Sequence, residues 1–406
     1  MIPCIKAVEI RNYKSLAQVT VTDLGPFTVL VGPNASGKSN FVDALAFVQE
    51  CLSESIELAL KKRGGISAVR HIGRIGCRPT DIEFRIMMVL DASRGAEYSF
   101  KIASSPTVGL TVARERCRVL RLMHARPEHT FEVQNGRFVK GIPGIRPKVA
   151  PDRLALYAAS ATDEFRPVYD FLTSMRFYSI VPVQLRELQG ADPGNFLKRD
   201  GSNAAAVLKR LQDEPKSAER YKRVCSLLSK MVDSIRGVEY KTLGKQETIR
   251  FKLDVGSKQH LSFDALNMSD GTLRALGVFL AVYQSGKHSL VAIEEPEATV
   301  HPAAAEVIVQ ALIDASQERQ VIITTHSPDI LDYKQMRDTD LRTVTMENGQ
   351  TVISPLSISS REAIRERLYT PGELLRAGEL TPDKSAASQS AKQLGFLWEK
   401  DSGQAH

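Results

Sequence analysis

Apolar and polar positions alternate loosely through Ile5–Ile10 and again through Ala17–Thr22, predicting two opening strands. Phe27–Val31 is a continuous apolar run, as in a buried strand; it breaks at Gly32, and an amphipathic helix begins after Ser39. Between residues 81 and 140, runs at Ile82–Leu90, Glu97–Ile102, Leu110–Leu122 and Thr130–Val133, with a turn at Asn135-Gly136, predict an antiparallel sheet inserted after that helix. A Pro/Gly linker at 141–150 leads into a mostly helical stretch to about 235, whose exception is a strand over Met175–Val183 ending in Gln184-Leu185-Arg186. Strand patterns return at 237–263. A helical period then follows Ser269-Asp270-Gly271, with Leu273, Leu276, Gly277, Leu280 and Ala281 on one face. Ser289–Ile293 and Gln320–Thr325 read as buried parallel-type strands, separated by a helix that starts at Pro302. From Thr381 the chain is a polar, Ser/Ala/Lys/Gln-rich tail in which Phe396-Leu397-Trp398 could dock on a partner.

No sustained heptads occur, so no long coiled-coil arm is encoded, and no apolar run approaches a membrane span. The first residues enter a strand pattern without a signal-peptide core, which predicts a cytoplasmic protein. The 406 residues, 43% apolar and 25% charged, suit a globular chain of two or three domain-sized units. Cys4, Cys51, Cys77, Cys117 and Cys225 are scattered and never in a C-x-x-C pair, against both a disulfide framework and a zinc site. A net charge of +7 is compatible with nucleic acid but mainly sets solubility. Arg114, Arg116 and Arg118 recur at every second residue, placing three guanidinium groups on one strand face, either a solvated outer surface or a contact to a phosphate backbone.

The chemistry concentrates in a few segments. Gly32-Pro-Asn-Ala-Ser-Gly37-Lys38-Ser39 is a G-x-x-x-x-G-K-S phosphate loop between strand and helix. Its glycines permit close backbone approach, so that N–H groups at the helix start converge on phosphate oxygens; Lys38 reaches the β- and γ-phosphates and the Ser39 hydroxyl holds magnesium. The Leu290–Ile293 strand runs into Glu294-Glu295-Pro296-Glu297, and carboxylates at the carboxyl end of a buried strand need a cation or a proton. Glu294 is the natural magnesium partner and Glu295 the natural base for a water attacking the γ-phosphate. His326 ends the next strand, placed to sense the γ-phosphate. Ser269-Asp270-Gly271 at a helix N-terminus is by itself a helix cap.

The order of phosphate loop, Gln184, Ser269-Asp270-Gly271, Ile293-Glu294-Glu295-Pro296-Glu297 and Thr325-His326-Ser327-Pro328 resembles the ABC-type ATPases of the RecF, SMC and OLD group. Within it, the pattern is most similar to the compact AAA_21-like ATPases encoded beside nucleases in bacterial defence loci. Arg11-Asn12-Tyr13-Lys14-Ser15 and Gly372-Glu373-Leu374-Leu375 extend the likeness. The resemblance implies an α/β fold, an ABC-type P-loop ATPase head with a mixed central sheet, an antiparallel β layer and an inserted helical lobe. It divides the chain into an N-terminal ATPase lobe (1–150), a helical lobe with the Q-loop (151–260), a C-terminal ATPase lobe (261–380) and a mobile tail (381–406).

By position, Asn34, Ser36, Gly37, Lys38, Ser39 and Asn40, with Gly32 and Arg11, would bind ATP. Ser39, Glu294 and Gln184 would hold Mg2+, Gln184 being the Q-loop residue. Ser269 and Gly271 would touch the γ-phosphate held by a second subunit, Glu295 would be the catalytic base and His326 the switch histidine. Departures from the group's pattern are Glu294 for the usual aspartate and Ser-Asp-Gly for Ser-Gly-Gly. The implied function is a nucleotide-gated homodimeric clamp or higher homo-oligomer controlling a nuclease partner in antiviral defence. DNA is a further candidate partner, and the alternative is a RecF-like DNA-repair ATPase.

Overall fold

The computed structural model describes residues 2–72, 81–105, 109–122, 126–141, 149–150, 152–254, 256, 260–383 and 385–386. The chain forms two compact units. One comprises Met1–Met175, Arg337–Leu368 and Gly378–His406; the other comprises Arg176–Met336 and Tyr369–Ala377. Most of the 141–150 linker, Cys77 and the Phe396-Leu397-Trp398 segment lie outside the described residues.

In the first unit the alternating runs build one seven-stranded antiparallel sheet. Its spatial order is Leu16–Val21, Cys4–Tyr13, Ile82–Val89, Arg94–Ser105, Gly109–Arg121, Arg126–Gln134 and Arg137–Lys140. The inserted strands thus extend the opening pair, Ile10 standing opposite Phe84 and Phe84 opposite Phe100. Asn135 and Gly136 both adopt positive φ (47° and 76°), as the tight two-residue turn requires. One sheet face is apolar and meets the Lys38–Ser53 helix, Phe47 lying 5.5 Å from Tyr13 and 5.7 Å from Phe84 between ring centroids. Tyr13 Oη and Lys14 Nζ donate to Asp43 on that helix, at 2.8 and 2.6 Å. Burial alone would raise the Asp43 carboxyl, but hydrogen bonds from Arg63 and Lys14 and their charges hold it down to about 2.

The opposite sheet face is charged. Here the arginine row resolves: Arg116 is 9% exposed, Arg114 pairs with Glu132 at 2.8 Å and Arg118 approaches Glu97 at 3.8 Å. The row is therefore a half-buried, internally paired face, and neither an open solvated surface nor a free phosphate-binding strip. Glu115 points to the apolar side and is fully buried. It accepts from Tyr98 Oη (2.9 Å) and from the backbone N–H groups of Ala155 and Leu156, tying the Ala155–Ala159 helix to the sheet. Beside this sheet, Phe27–Val31 pairs in parallel with Leu341–Glu347, which pairs antiparallel with Gln350–Ser354.

In the second unit Arg176–Tyr178, Leu290–Glu294 and Gln320–Thr325 form a parallel sheet, with Val291 opposite both Arg176 and Val321. Helices Ala204–Asp213, Ala218–Met231, Asp270–Tyr283 and Pro302–Ala315 accompany it, with an antiparallel trio of Ile235–Leu243, Gln246–Asp254 and His260–Asp264. The strand expected over Met175–Val183 is shorter than its apolar pattern. It ends at Tyr178 because Pro182, with no N–H and a fixed φ, opens the Pro182–Arg186 helix. Gln184 accordingly sits on a helix.

Among the described residues no helix is long and apolar enough to cross a membrane. Cys4, Cys51 and Cys117 are buried free thiols and Cys225 is half-buried.

Candidate active site

In the first unit the phosphate loop joins the Phe27–Val31 strand to the Lys38–Ser53 helix. Gly37 has φ +103°, and a Cβ there would fall 1.9 Å from Thr351 Oγ1; at Gly32 a Cβ would fall 2.1 Å from the Val344 carbonyl oxygen. Both glycines are therefore demanded by close approach, and Gly37 also by its left-handed backbone. Lys38 is buried and donates to the carbonyl oxygens of Gly32 (2.8 Å) and Pro33 (2.9 Å), so its ammonium curls over the loop. Asn34 and Ser39 are exposed, while the Ser36 hydroxyl is buried with no hydrogen-bond partner. Asn40 donates to Ser15 Oγ at 2.7 Å, Ser15 Oγ lies 2.7 Å from Thr351 Oγ1, and Thr351 donates to the Ser36 carbonyl at 3.0 Å. Ser15, the last residue of the Arg11–Ser15 stretch, and Thr351, which no local motif reveals, are braces.

Arg11 lies on the charged sheet face, paired with Glu9 at 2.6 Å. It lines a cavity of about 240 Å³ with Glu83, Arg85, Lys101 and Arg114.

In the second unit the two central strands end side by side. Glu294 closes one and its side chain is nearly buried; Glu295 follows with φ +43°, its N–H donating to the Thr324 carbonyl at 3.0 Å. A non-glycine residue held in this region stores strain of about 1–3 kcal/mol, tolerated only where the surroundings impose it. His326 Nδ1 stands 3.0 Å from Glu295 Oε1. Glu297 is buried and accepts from the Thr325 hydroxyl, and burial pushes its carboxyl above the ordinary carboxylate range. Arg199, from the loop after Gly190, donates to Glu294 at 3.0 Å. Glu297 closes the Glu294-Glu295-Pro296-Glu297 motif but spacing gives it no role of its own, and Arg199 does not stand out at all, since no motif surrounds it.

Ser269 caps the Asp270–Tyr283 helix, its hydroxyl accepting from the Thr272 N–H at 3.2 Å. A Cβ on Gly271 would fall 2.8 Å from the Thr299 carbonyl oxygen, so glycine lets this helix start approach the segment after Glu297. Asp270, the departure from Ser-Gly-Gly, is ion-paired with Arg186, whose guanidinium also donates to the Met268 carbonyl at 3.1 Å. Gln184, two residues before Arg186, is half-exposed and its carbonyl accepts from Gln189. Beyond His326, the Pro328–Leu331 helix is held by the Pro371–Ala377 helix: the Gly372 N–H and Arg376 both donate to Asp332 at 2.8 Å, and Arg376 also reaches Asp329.

Two family models match the chain. Residues 170–332 match AAA_21, described as "AAA domain, putative AbiEii toxin, Type IV TA system", and residues 4–90 match the AAA_15 "AAA ATPase domain". Curated relatives include the chromosome partition protein Smc of Methanocaldococcus jannaschii, 46% identical over 44 residues, and that of Halothermothrix orenii, 47% over 45. These segments cover 11% of this chain and 4% of each Smc protein. Among solved structures, the Smc head domain of Pyrococcus furiosus bound to the C-terminal domain of ScpA aligns with 90% of this chain and all of its own, at 14% identity and a TM-score of 0.53. An Smc head bound to the C-winged helix domain of ScpA aligns over 89% and 99%, at 15% identity and a TM-score of 0.51. The fold is that of Smc head domains, a mixed α/β architecture with several sheets. Two AAA-type family models, each matching less than half of the chain, together with this fold over nine-tenths of its length, support a likeness to the SMC/RecF-like group of ABC-type ATPases.

Proposed function

We propose that the chain is a magnesium-dependent ATP hydrolase whose nucleotide cycle gates a homodimer, with the chemical roles divided between its two units. The observation that carries this reading is the Glu295–His326 pair, 3.0 Å apart at the ends of neighbouring parallel strands beside Glu294. In the first unit Gly32, Asn34, Ser36, Gly37, Ser39 and Asn40 would cradle the triphosphate. Lys38 would exchange its two loop carbonyls for phosphate oxygens, a stronger, charge-assisted contact. Arg11, steadied by Glu9, would serve the nucleoside end.

In the first unit the donor offered to magnesium would be the Ser39 hydroxyl, and in the second the Glu294 carboxylate and the Gln184 amide, all hard oxygens. No cluster of three or more His, Cys, Asp or Glu suited to a metal exists among the described residues, consistent with an ion that relies on phosphates and water. When bound, that ion neutralises phosphate charge. Glu295 would take the proton of a water whose oxygen bonds to the γ-phosphorus as the bond to the β-bridging oxygen breaks, and His326 would orient that water. Ser269 and Gly271 would complete the site of a second copy, so that ATP joins two subunits and hydrolysis releases them.

The description of the AAA_21 family, a putative toxin of a Type IV TA system, supports a defence role, to which we add the proposal that the dimer acts by controlling a nuclease or toxin partner. The likeness to Smc, a chromosome partition protein, supports the alternative of a RecF-like ATPase acting on DNA.

The test is mass in solution with and without ATP and Mg2+, together with turnover, for the wild type and Glu295→Gln. Turnover in the variant should fall about 10²–10⁴-fold with ATP binding retained, and an ATP-dependent dimer should persist. Unchanged turnover overturns the role of Glu295; a mass indifferent to ATP overturns the gated dimer. A partner recovered on the trapped dimer, against DNA-stimulated turnover of the isolated chain, separates the two cellular roles.

A further inference from the structure

The strands that end in Glu294 and Thr325 have, at their opposite ends, a second concentration of polar side chains, in which arginines outnumber acids. His288 precedes the Leu290–Glu294 strand, Arg319 immediately precedes the Gln320–Thr325 strand, and Arg176 opens the neighbouring strand, opposite Val291. Arg220 joins them from the Ala218–Met231 helix, donating to the Gln284 carbonyl at 3.3 Å. Arg319 is 6% exposed and His288 9%. Nε and Nη1 of Arg319 are buried without a hydrogen-bond partner, and Arg319 Nη2 reaches only outward to the exposed Glu318, at 3.1 Å; both ring nitrogens of His288 are buried too, with the Ser285 backbone the one polar group that acts on the ring at hydrogen-bonding range. Arg176 lies over the Phe196 ring at 4.7 Å.

The other polar groups here are committed elsewhere. The Gln284 side chain donates to Tyr178 Oη at 2.6 Å and accepts from the Leu197 N–H at 2.7 Å. Burial and then the charges of Arg176 and Arg319 push the His288 imidazolium down to about 4, against an opposing hydrogen bond to the Ser285 backbone, so at neutral pH the ring is uncharged and adds no cation of its own. An unmatched buried guanidinium is costly, and a fold retains one where something else supplies the acceptor.

We propose that this cluster is a binding site for a small oxyanion, a phosphate ion or the phosphoryl end of a small phosphomonoester, gripped by the fork of Arg319 and by His288. Arginine's planar fork suits tetrahedral oxyanions, and a polymer backbone cannot reach donors that are more than nine-tenths buried. The ligand would bridge the loop before one strand, the start of the next and the Ala218–Met231 helix, and so stiffen the base of the sheet whose other end carries Glu294, Glu295 and His326.

The test titrates inorganic phosphate, and separately glycerol 3-phosphate, into the full-length Lys38→Ala protein, so that the phosphate loop does not contribute. Melting temperature and the imidazole resonances of His288 are followed. Phosphate near 100 times its Kd should raise the Tm by about 5 °C and shift His288 saturably. Arg319→Gln, in the same background, should weaken both effects about tenfold or more. Equal binding of the ester assigns the site to phosphomonoesters, and binding of phosphate alone assigns it to the free ion. Absence of a saturable His288 shift, or the same affinity in Arg319→Gln, overturns the proposal. Without phosphate, Arg319→Gln should melt at or above the parent, having lost a buried cation whose only partner is the exposed Glu318; a clearly lower Tm would mean that the fold itself satisfies Arg319 and would likewise overturn it.

Discussion

The phosphate loop and the acidic strand ends are built on opposite principles. The loop is shaped by steric contact and by hydrogen bonds to neutral acceptors: glycines at 32 and 37 where a Cβ would strike a carbonyl or a threonine, with Ser15, Asn40 and Thr351 as braces and Lys38 on two carbonyls. The strand ends are shaped by charge, with Glu294 against Arg199, Glu295 against His326, and Glu297 buried on Thr325. Substitutions in the loop should therefore fail by collision, largely whatever the salt or pH. Substitutions among the carboxylates should fold and instead change ion and pH dependence.

The largest effect is expected for Gly32→Ala. Its Cβ meets a backbone carbonyl that no side-chain rotation can move, so a loss of about 3 kcal/mol or more of stability should appear in denaturant unfolding. Wild-type stability in this variant would refute the steric account of the loop. Next comes Gly37→Ala, which collides with the movable Thr351 side chain as well as needing φ +103°. Adding Thr351→Ala should restore part of the lost nucleotide affinity and leave a residue of about 1 kcal/mol from the backbone. Full rescue would assign the whole defect to the clash, and none would assign it to φ alone.

On the charged side, Arg199→Ala should lower the Mg2+ concentration for half-maximal turnover by about 2- to 5-fold, because a partly exposed cation no longer competes for Glu294. An unchanged Mg2+ requirement would separate Arg199 from the ion. The smallest effect is expected for Glu297→Gln. Burial raises the Glu297 carboxyl above its unfolded value of 4.5, so the folded state is favoured below that value and loses stability as pH rises through the raised pKa. An amide oxygen keeps the Thr325 hydrogen bond, so the variant should show a flatter stability profile above pH 4.5. A steeper profile would contradict the assignment.

Legibility differed along the chain for physical reasons. Period-2 alternation placed the inserted strands from Ile82 to Val133 closely, because one face of that sheet is buried and register is therefore written into every second residue. The apolar run at Met175–Val183 misled, since period and propensity do not say where a strand gives way to a proline-started helix. The arginine row was visible, but its pairing with Glu132 and Glu97 was not, since those acids come from the neighbouring strands. Glu115, between Arg114 and Arg116, alternates to the other face, where it is buried in the core and fastens a helix.

What the sequence determined by itself was the chemistry whose geometry is local: the glycines and lysine of a strand–loop–helix turn, a helix cap at Ser269, and carboxylates at the end of a buried strand. Each follows from the few residues around it. What only the tertiary structure decided was the partner of each charge. Arg199 lies 95 positions from Glu294, Thr351 lies 315 from Ser36, and Arg319 meets His288 only because two parallel strands begin side by side. Such pairings depend on how strands are ordered in a sheet, and strand order is a property of the whole packed chain.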